Sequence, residues 1–552
     1  MKLKKILAAA LLGAMAVLTV CPAGEAKATT VNSYTYNYDY WETEYESPDA
    51  YEPTTFITGA TLLDQDGNPF ESDFRGAQSL FVNGNKIYVV NSVKNNIVEI
   101  TYEKDTYTVT RVISEVVFGD AAEETAEDGI VALAEEVAEE TTEEATEEVT
   151  EEATDGASAD VTTLKNPQDV FVDNNGDFYI ADMGNNRILH VNNELKVQKV
   201  VLRPTSSQIS QDNPFEPNKI VVDRAGRMFV LAKGVNKGVM QFEPDGEFVG
   251  FVGASEVVFS MADYIKKLFS TKAQRDQMVD FVPTEYNNLY IDNKAFMYCI
   301  TDKFEEADLK GGTAKPIRKL NSLGKDILIR NGNHLPIGDV QWENAGGKGG
   351  PSRFADITAM EDETYYVIDY KRGHIFGYDE QGHLLYAFGG AGNTKMGYFM
   401  NPASIEHMGT DLYVLDTQTG GITKFERTEF GNLIHSALDE YSEGHYDKSA
   451  AYWEKVLAMN GNYELAYIGI GRALLRQEKY EEAMYYFEIM RDDENYSRAW
   501  KYYRKEWIEN NLGYVVVILV VLGFIPTIVR KIKKIRWEAR IQHEFESESK
   551  NK

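Results

Sequence analysis

Cysteine is almost missing from this 552-residue chain; there are two, too few for a cysteine-based zinc site. Cys21 lies in an apolar N-terminal leader and Cys299 in the apolar run "AFMYCI", so loss of the leader leaves no intrachain disulfide. An exported chain without disulfides must be stabilised by the size of its core. Histidine is scarce as well: the eight, at 190, 334, 374, 383, 407, 435, 445 and 543, are scattered and none pairs at metal-ligand spacing. Basic residues are outnumbered, 56 Lys and Arg against 87 Asp and Glu, for a net charge of −31. A phosphate-binding surface needs clustered Lys and Arg, which excludes nucleic acid as an expected partner. Seventeen of the acids fall between Asp120 and Asp160, where no Lys or Arg occurs. No Gly-x-Ser-x-Gly elbow is present, and "GGKGG" lacks the following Ser or Thr of a phosphate-binding loop.

What is abundant is tyrosine, 33 residues, within a composition that is 43% hydrophobic and 12% aromatic. Tyrosine, valine and isoleucine favour half-buried pleated surfaces, so a mainly β body is expected. The length exceeds a single core and predicts more than one domain.

The two ends carry targeting signals. Residues 1–28 run from basic "MKLKK" through an apolar stretch to small residues at Ala26 and Ala28, the layout of a cleaved signal peptide. "LTVC" offers a competing lipoprotein reading at Cys21, against which Val20 is bulky. Residues 29–53 form a Tyr-rich segment containing "SYTYNYDYWETEYE", either an edge strand on the body or a disordered leader. Leu512–Val529 is 18 residues without a charge, enough to cross a bilayer as a helix. Arg530, Lys531, Lys533, Lys534 and Arg536 follow at once, so the positive-inside rule puts the basic tail, 530–552, in the cytoplasm and the bulk outside.

Between the ends the chain repeats itself. "NPQDVFVDNNGDFYIADMGNNRILHV", from Asn166, reads as three short strands separated by polar turns. Related units start at Gly76, Glu216, Tyr286, Phe354 and Asn401, and the uninterrupted spacings are about 50 residues. Three insertions interrupt them: the acidic low-complexity stretch 120–160, a helical insert at 254–281, and the Gly-rich loop around Trp342. After 435 the period changes. Tyr446 to Tyr480, Ser449 to Ala483 and Trp453 to Phe487 are each separated by 34 residues, the tetratricopeptide spacing, which predicts helical repeats over 436–508.

The repeated units resemble NHL repeats: a Pro start, an apolar strand ending in Asp, a Gly turn, "YIADMGNNRI" and a later "DGEFVGFVG" strand. The Asn166 unit matches closely; those at Gly76, Tyr286 and Asn401 lack the Asn–Arg pair after the second strand. The resemblance implies a six-bladed β-propeller over 54–435, closed by a strand from Thr54–Leu63 joining the blade that begins at Asn401. The expected fold class is therefore mainly β, a propeller followed by an α-helical repeat stalk and one transmembrane helix.

In such a propeller the mouth is lined by the first residues of each innermost strand. The positions are Gln78 and Ser79, Gln168 and Asp169, Asn218 and Lys219, Asn287 and Asn288, Ala355 and Asp356, and Ala403 and Ser404. Gln78, Gln168, Asp169, Asn218, Asn287, Asp356 and Ser404 are the candidate ligand contacts, with Tyr286 and Trp342 nearby. Calcium or zinc needs several converging carboxylates or imidazoles, and the ring offers two acids and no histidine. Asp169 and Asp356 face each other across a six-fold ring, either sharing a cation or, as expected here, capping turns. Gluconolactonase-like propellers carry a metal-binding Glu near the first blade, and no equivalent Glu is found before "GAQSLFV"; amidating lyases with NHL repeats use histidine ligands, and none is suitably grouped. No catalytic residue, metal or cofactor is expected. The expected function is a non-catalytic extracytoplasmic platform for a protein or glycan partner. A lactonase- or lyase-like enzyme, and an accessory subunit of a membrane transport or envelope complex, are the alternatives.

Overall fold

The computed structural model describes residues 34–118 except 71, 161–253 except 207, 208, 210–213 and 236, 286–301, 308–309, 313–341 except 333, and 349–550. The leader, the acidic stretch, the helical insert and Trp342 lie outside the described residues.

The Asp–Gly turns of the repeat make hairpins by one device. Asp173 Oδ1 accepts from the N–H groups of Asn175 (2.8 Å) and Asp177 (3.0 Å), and Gly176 takes a φ of +85° that side chains resist. Asp223, Asp292 and Asp379 do the same for their own turns. The second strands Phe178–Asp182, Met228–Ala232 and Tyr365–Asp369 are buried at every position, and those at Lys86–Asn91 and Asp411–Asp416 at all but the first. Such strands are sandwiched between neighbouring sheets, which is why they read as continuous apolar runs and not as an alternation.

The result is a β-propeller. Five blades of four or more strands are detected, beginning at Ser79, Asp169, Pro217, Phe354 and Pro402. The expectation was six. At the remaining position stands a three-stranded sheet, Asn288–Ile291, Met297–Ile300 and Ile317–Leu320. Its fourth strand fails for a local reason. Asp326 Oδ1 accepts from the N–H groups of Lys319 (3.3 Å) and Leu328 (3.1 Å), so a side chain takes a donor that a ladder would use, leaving one isolated bridge, Leu320 to Asp326. The innermost strands touch in order around the axis, and the Pro402 strand returns to the Ser79 strand. The apolar core is divided likewise, each cluster filling the space between two neighbouring sheets.

The strand that completes the Pro402 blade is Tyr51–Thr58, paired antiparallel with Gly421–Arg427. This lies three residues before the expected start at Thr54. The Tyr-rich segment extends the Phe354 blade: Tyr36–Tyr38 pairs with the Leu384–Ala391 strand, and Glu44–Glu46 adds an outer edge.

Five helices follow the propeller: α1 (Glu429–Ser442), α2 (Tyr446–Met459), α3 (Glu464–Arg476), α4 (Tyr480–Ile489) and α5 (Asp493–Lys550). The 34-residue spacing places Trp453 of α2 and Phe487 of α4 at equivalent buried positions, each against a glycine of α3. A Cβ on Gly469 would stand 2.3 Å from the Trp453 indole nitrogen, and one on Gly471 2.7 Å from Phe487. Phe430, Ile434, Trp453 and Tyr463 share one apolar cluster with Ile368, Phe388 and Phe425, so the helices are packed on the propeller. α5 contains a stretch long and apolar enough to cross a membrane.

Candidate functional site

The axis of the propeller is occupied by its own side chains. In four of the six pairs of strand-start residues the second member reaches the next sheet through a carboxylate, amide or hydroxyl, Ser404 closes the ring onto Leu80, and Lys219 instead reaches back to Ser79 and Asp169. Ser79 Oγ donates to Asp169 Oδ1 (2.6 Å), and Asp169 Oδ2 accepts from Ile220 N–H (2.9 Å). Asn288 Nδ2 donates to Asp356 Oδ1 (2.7 Å). Asp356 Oδ2 accepts from Ser404 Oγ (2.5 Å) and Ile405 N–H (2.9 Å), and Ser404 Oγ accepts from Leu80 N–H (3.0 Å). These bonds staple neighbouring sheets at the centre and satisfy backbone donors that ring closure leaves without a ladder partner.

Asp169, Asp356 and Ser404 thus lie at the axis as staples, Ser404 bonded to Asp356 and Asp169 to Ser79 and Ile220. Of the other four candidates, Asn287 also reaches the next sheet, at a backbone carbonyl, and Gln78 and Gln168 stay in their own turns. Gln78 is exposed and bonds Gly76 O (3.2 Å); Gln168 bonds Asn166 Oδ1 (2.9 Å) in its own turn. Asn287 Nδ2 donates to Phe354 O (2.7 Å). The side-chain oxygens of Asn218 and Asn287 are buried without a hydrogen-bond partner among the described residues. Strand pleating is the reason: successive side chains point to opposite sides, so only one of each pair can face the axis.

Lys219 supplies the cation between the acids. Its Nζ lies 3.0 Å from Ser79 Oγ and 3.4 Å from Asp169 Oδ1. Burial works to lower the ammonium's pKa, and the carboxylates of Asp169 and Asp356 outweigh it and hold it above its ordinary value. Glu406, two positions along the strand from Ser404 and on the same face, was not singled out from sequence. Burial and the nearby Asp356 push its carboxyl well above the usual range, and burial raises Asp356 too. Its signal was available: a carboxylate at spacing two from an axial serine shares the axial face.

The space left at the axis is a cavity of about 30 Å³ lined by these residues with Phe81, Phe171 and Tyr290. That accommodates ordered water and no larger ligand. Among the described residues one trio of metal-capable side chains converges, Glu440, Glu443 and His445 at the α1–α2 turn. They are solvent-facing, and Glu440 already pairs with Lys448 (3.3 Å) and His445 (2.8 Å).

A second buried polar network joins the propeller to α1. His435 Nδ1 bonds Asp362 Oδ2 (2.9 Å), and its Nε2 accepts from Tyr386 Oη (2.8 Å). Tyr366 Oη lies 3.0 Å from Tyr386 Oη and 3.2 Å from Tyr51 Oη, to which Arg427 Nε donates (3.2 Å). Burial lowers the His435 pKa, so the imidazole is the neutral tautomer this bonding requires. Burial opposes ionisation of Asp362, but the bond from His435 outweighs it and holds the carboxyl well below its usual range.

No protein-family model matches the chain. A probable peptidyl-alpha-hydroxyglycine alpha-amidating lyase of Caenorhabditis elegans is 22% identical over 175 residues, 31% of this chain and 47% of that protein. The chain thus spans about half the length of the curated relative it matches. Virginiamycin B lyase from Staphylococcus aureus is similar in structure, with a TM-score of 0.37 and 11% identity over 68% of this chain and all of that one. A protein of unknown function from Bacteroides thetaiotaomicron gives a TM-score of 0.38 and 10% identity over 70% of this chain and 79% of that one. Both scores lie below 0.5; the propeller is established by the strand pairing itself.

Proposed function

We propose that this chain is a non-catalytic, membrane-tethered binding platform whose propeller stands outside the cytoplasm and engages a protein or glycan partner. The observation that carries this reading is the filled axis. The place where a propeller would hold a substrate has room for water alone, and its charged groups are spent on one another. On this reading the Asn288 sheet is a sixth, incomplete blade of an NHL-type ring, and the helical pairs are tetratricopeptide-like repeats serving as a stalk. The leader at 1–28 is a signal peptide, α5 crosses the membrane once, and the tail is cytoplasmic. Supporting the span, Trp507 and Trp537 are both exposed and bracket the apolar stretch. Thirty residues of helix separate them, about 45 Å, close to the thickness of a bilayer with its headgroups.

Crosslinking in native membranes, followed by identification of the captured chain, tests the platform. Reproducible capture of one partner class supports it, and a membrane transport or envelope complex is the partner assembly this layout suits. The competing reading is a lyase- or lactonase-like enzyme, favoured by the local identity to the amidating lyase. Turnover of a peptidyl-α-hydroxyglycine or a lactone by the purified full chain, lost on Glu406→Gln, would sink the platform reading.

A further inference from the structure

The platform reading leaves open where a ligand sits. The helices and the propeller share a polar groove of about 320 Å³ between the Tyr36–Tyr38 edge of the Phe354 blade, α3 and the α4–α5 turn. That is within the range of small-molecule sites, roughly 300–1,000 Å³. We propose that this groove binds a compact carboxylate, an acidic sugar or a small organic acid, through Arg472 and Arg491. This inference rests on the platform reading and deepens it.

The argument is one of unspent charge. Most acids in the groove are already engaged. Glu494 pairs with Arg498 at 2.9 Å. Asp492 accepts from Asn495 N–H (3.0 Å) and Nδ2 (2.7 Å). Glu464 accepts from Tyr40 N–H (3.3 Å), and burial raises its carboxyl pKa. Asp493 is exposed in the first turn of α5, where the helix dipole offsets its charge. Arg472 and Arg491 differ: neither makes an ion pair with a described residue, and both line the groove. Each guanidinium is instead held against an aromatic ring, Arg472 at 5.0 Å from the Tyr441 centroid and Arg491 at 5.4 Å from that of Trp41. A guanidinium laid on a ring keeps its in-plane N–H donors directed outward, and a carboxylate satisfies two of them at once. The edge strand among the three elements lining the groove is anchored by a buried clasp behind it. Tyr36 and Tyr38 donate to Asp339 Oδ1 (2.7 and 2.6 Å), and His374 Nδ1 bonds Oδ2 (2.7 Å), which fixes the edge strand. The wall is thus rigid before a ligand arrives.

The test is calorimetric titration of the full chain in detergent with glucuronate, succinate and glucose. Saturable binding of glucuronate alone supports an acidic sugar, and of succinate alone, or of both, supports a carboxylate read without its scaffold. In each case Arg491→Gln and Arg472→Gln weaken binding at least tenfold, while Lys395→Gln, on a distant loop, leaves it unchanged. Arg491 is exposed, so its variant folds even where Arg472→Gln does not. Absence of binding by either acid overturns the proposal, as does glucose binding equally well or binding that survives Arg491→Gln. Neither result touches the platform reading, which is decided by crosslinking and turnover.

Discussion

Replacing Lys219 with Met keeps the aliphatic stem and removes the ammonium from the axis. The carboxylates it faced are not left bare. Asp169 keeps Ser79 and Ile220, and Asp356 keeps Asn288, Ser404 and Ile405. Breaking a buried pair costs about 3–5 kcal/mol when the remaining charge is uncompensated; the surviving hydrogen bonds reduce this to about 2–4 kcal/mol at neutral pH. The cost has a pH signature. The Asp356 and Glu406 carboxyls are raised in the folded protein, so they bind a proton more tightly folded than unfolded. Their penalty is absent below the unfolded values, about 4, and accumulates as pH rises above them. Lys219 is one of the influences holding Asp356 down, so its removal lifts that carboxyl further and steepens the penalty. Melting of full chain in detergent, followed by near-ultraviolet circular dichroism of the tyrosines, reads the difference. Lys219→Met should melt about 5 °C or more below wild type near pH 7.5, with the gap closing toward about pH 4.5. A gap that does not change with pH would mean that only packing was lost. No gap at all would mean that the axis is not stapled electrostatically, and the filled-axis argument would fail with it.

Asp362→Asn should lower stability near neutral pH by about 1–3 kcal/mol, since a buried charge-assisted bond to His435 is lost. Because Asp362 is held below its unfolded value, its contribution is present above about pH 4 and disappears as pH falls through the folded value, so the variant's acid melting curve should be flatter in that window. Gly469→Ala should cost about 1–3 kcal/mol by overpacking Trp453, read as a lower melting temperature; a neutral result would refute the packing of α3 on α2. Val520→Arg places a charge in the middle of the apolar stretch at a cost of about 2.5–3.5 kcal/mol, and should shift the chain from the alkali-resistant membrane fraction to the soluble one. Cysteine labelling at Lys550→Cys should require permeabilised cells; labelling of intact cells would reverse the orientation proposed here.

Much of the propeller was readable because its turns are chemical signatures. Asp173, Asp223, Asp292 and Asp379 each cap a hairpin through their own carboxylate, and in all but the Asp292 turn, which has Ala295 in place of glycine, the "D-x-x-G-x" rhythm marks strand ends directly. The incomplete Asn288 sheet was not readable, because what ends it is one aspartate, Asp326, accepting from Lys319 N–H in place of a strand. The axial site was half legible. Sequence position locates the strand starts, but which member of each pair faces inward depends on pleat phase, and a slip of one residue exchanges Gln168 for Asp169 or Asn218 for Lys219. Glu406 was legible in its spacing of two from Ser404, whereas the Arg472–Arg491 groove was hidden because its walls come from residues far apart in the chain.

The filled axis and the helical packing are parts of one argument. A propeller that spends its axial donors and acceptors on stapling gains rigidity where other uses would need vacancy. Its remaining polar surface lies at the rim, and here the rim of the Phe354 blade is built over on two sides, by the Tyr36–Tyr38 strand and by α3. Tyr463 of the helical region donates to Leu385 O (2.8 Å) on the same strand that Tyr36 pairs with. The network from Arg427 through Tyr51, Tyr366 and Tyr386 to His435 then locks α1 to that blade with no water-exposed break. α5 begins at the groove, with Asp493 in its lining, and runs on as a single helix through the apolar stretch. A ligand in the groove would therefore touch the blade, α3 and the first turn of α5 together, whereas one at the axis would touch blades alone.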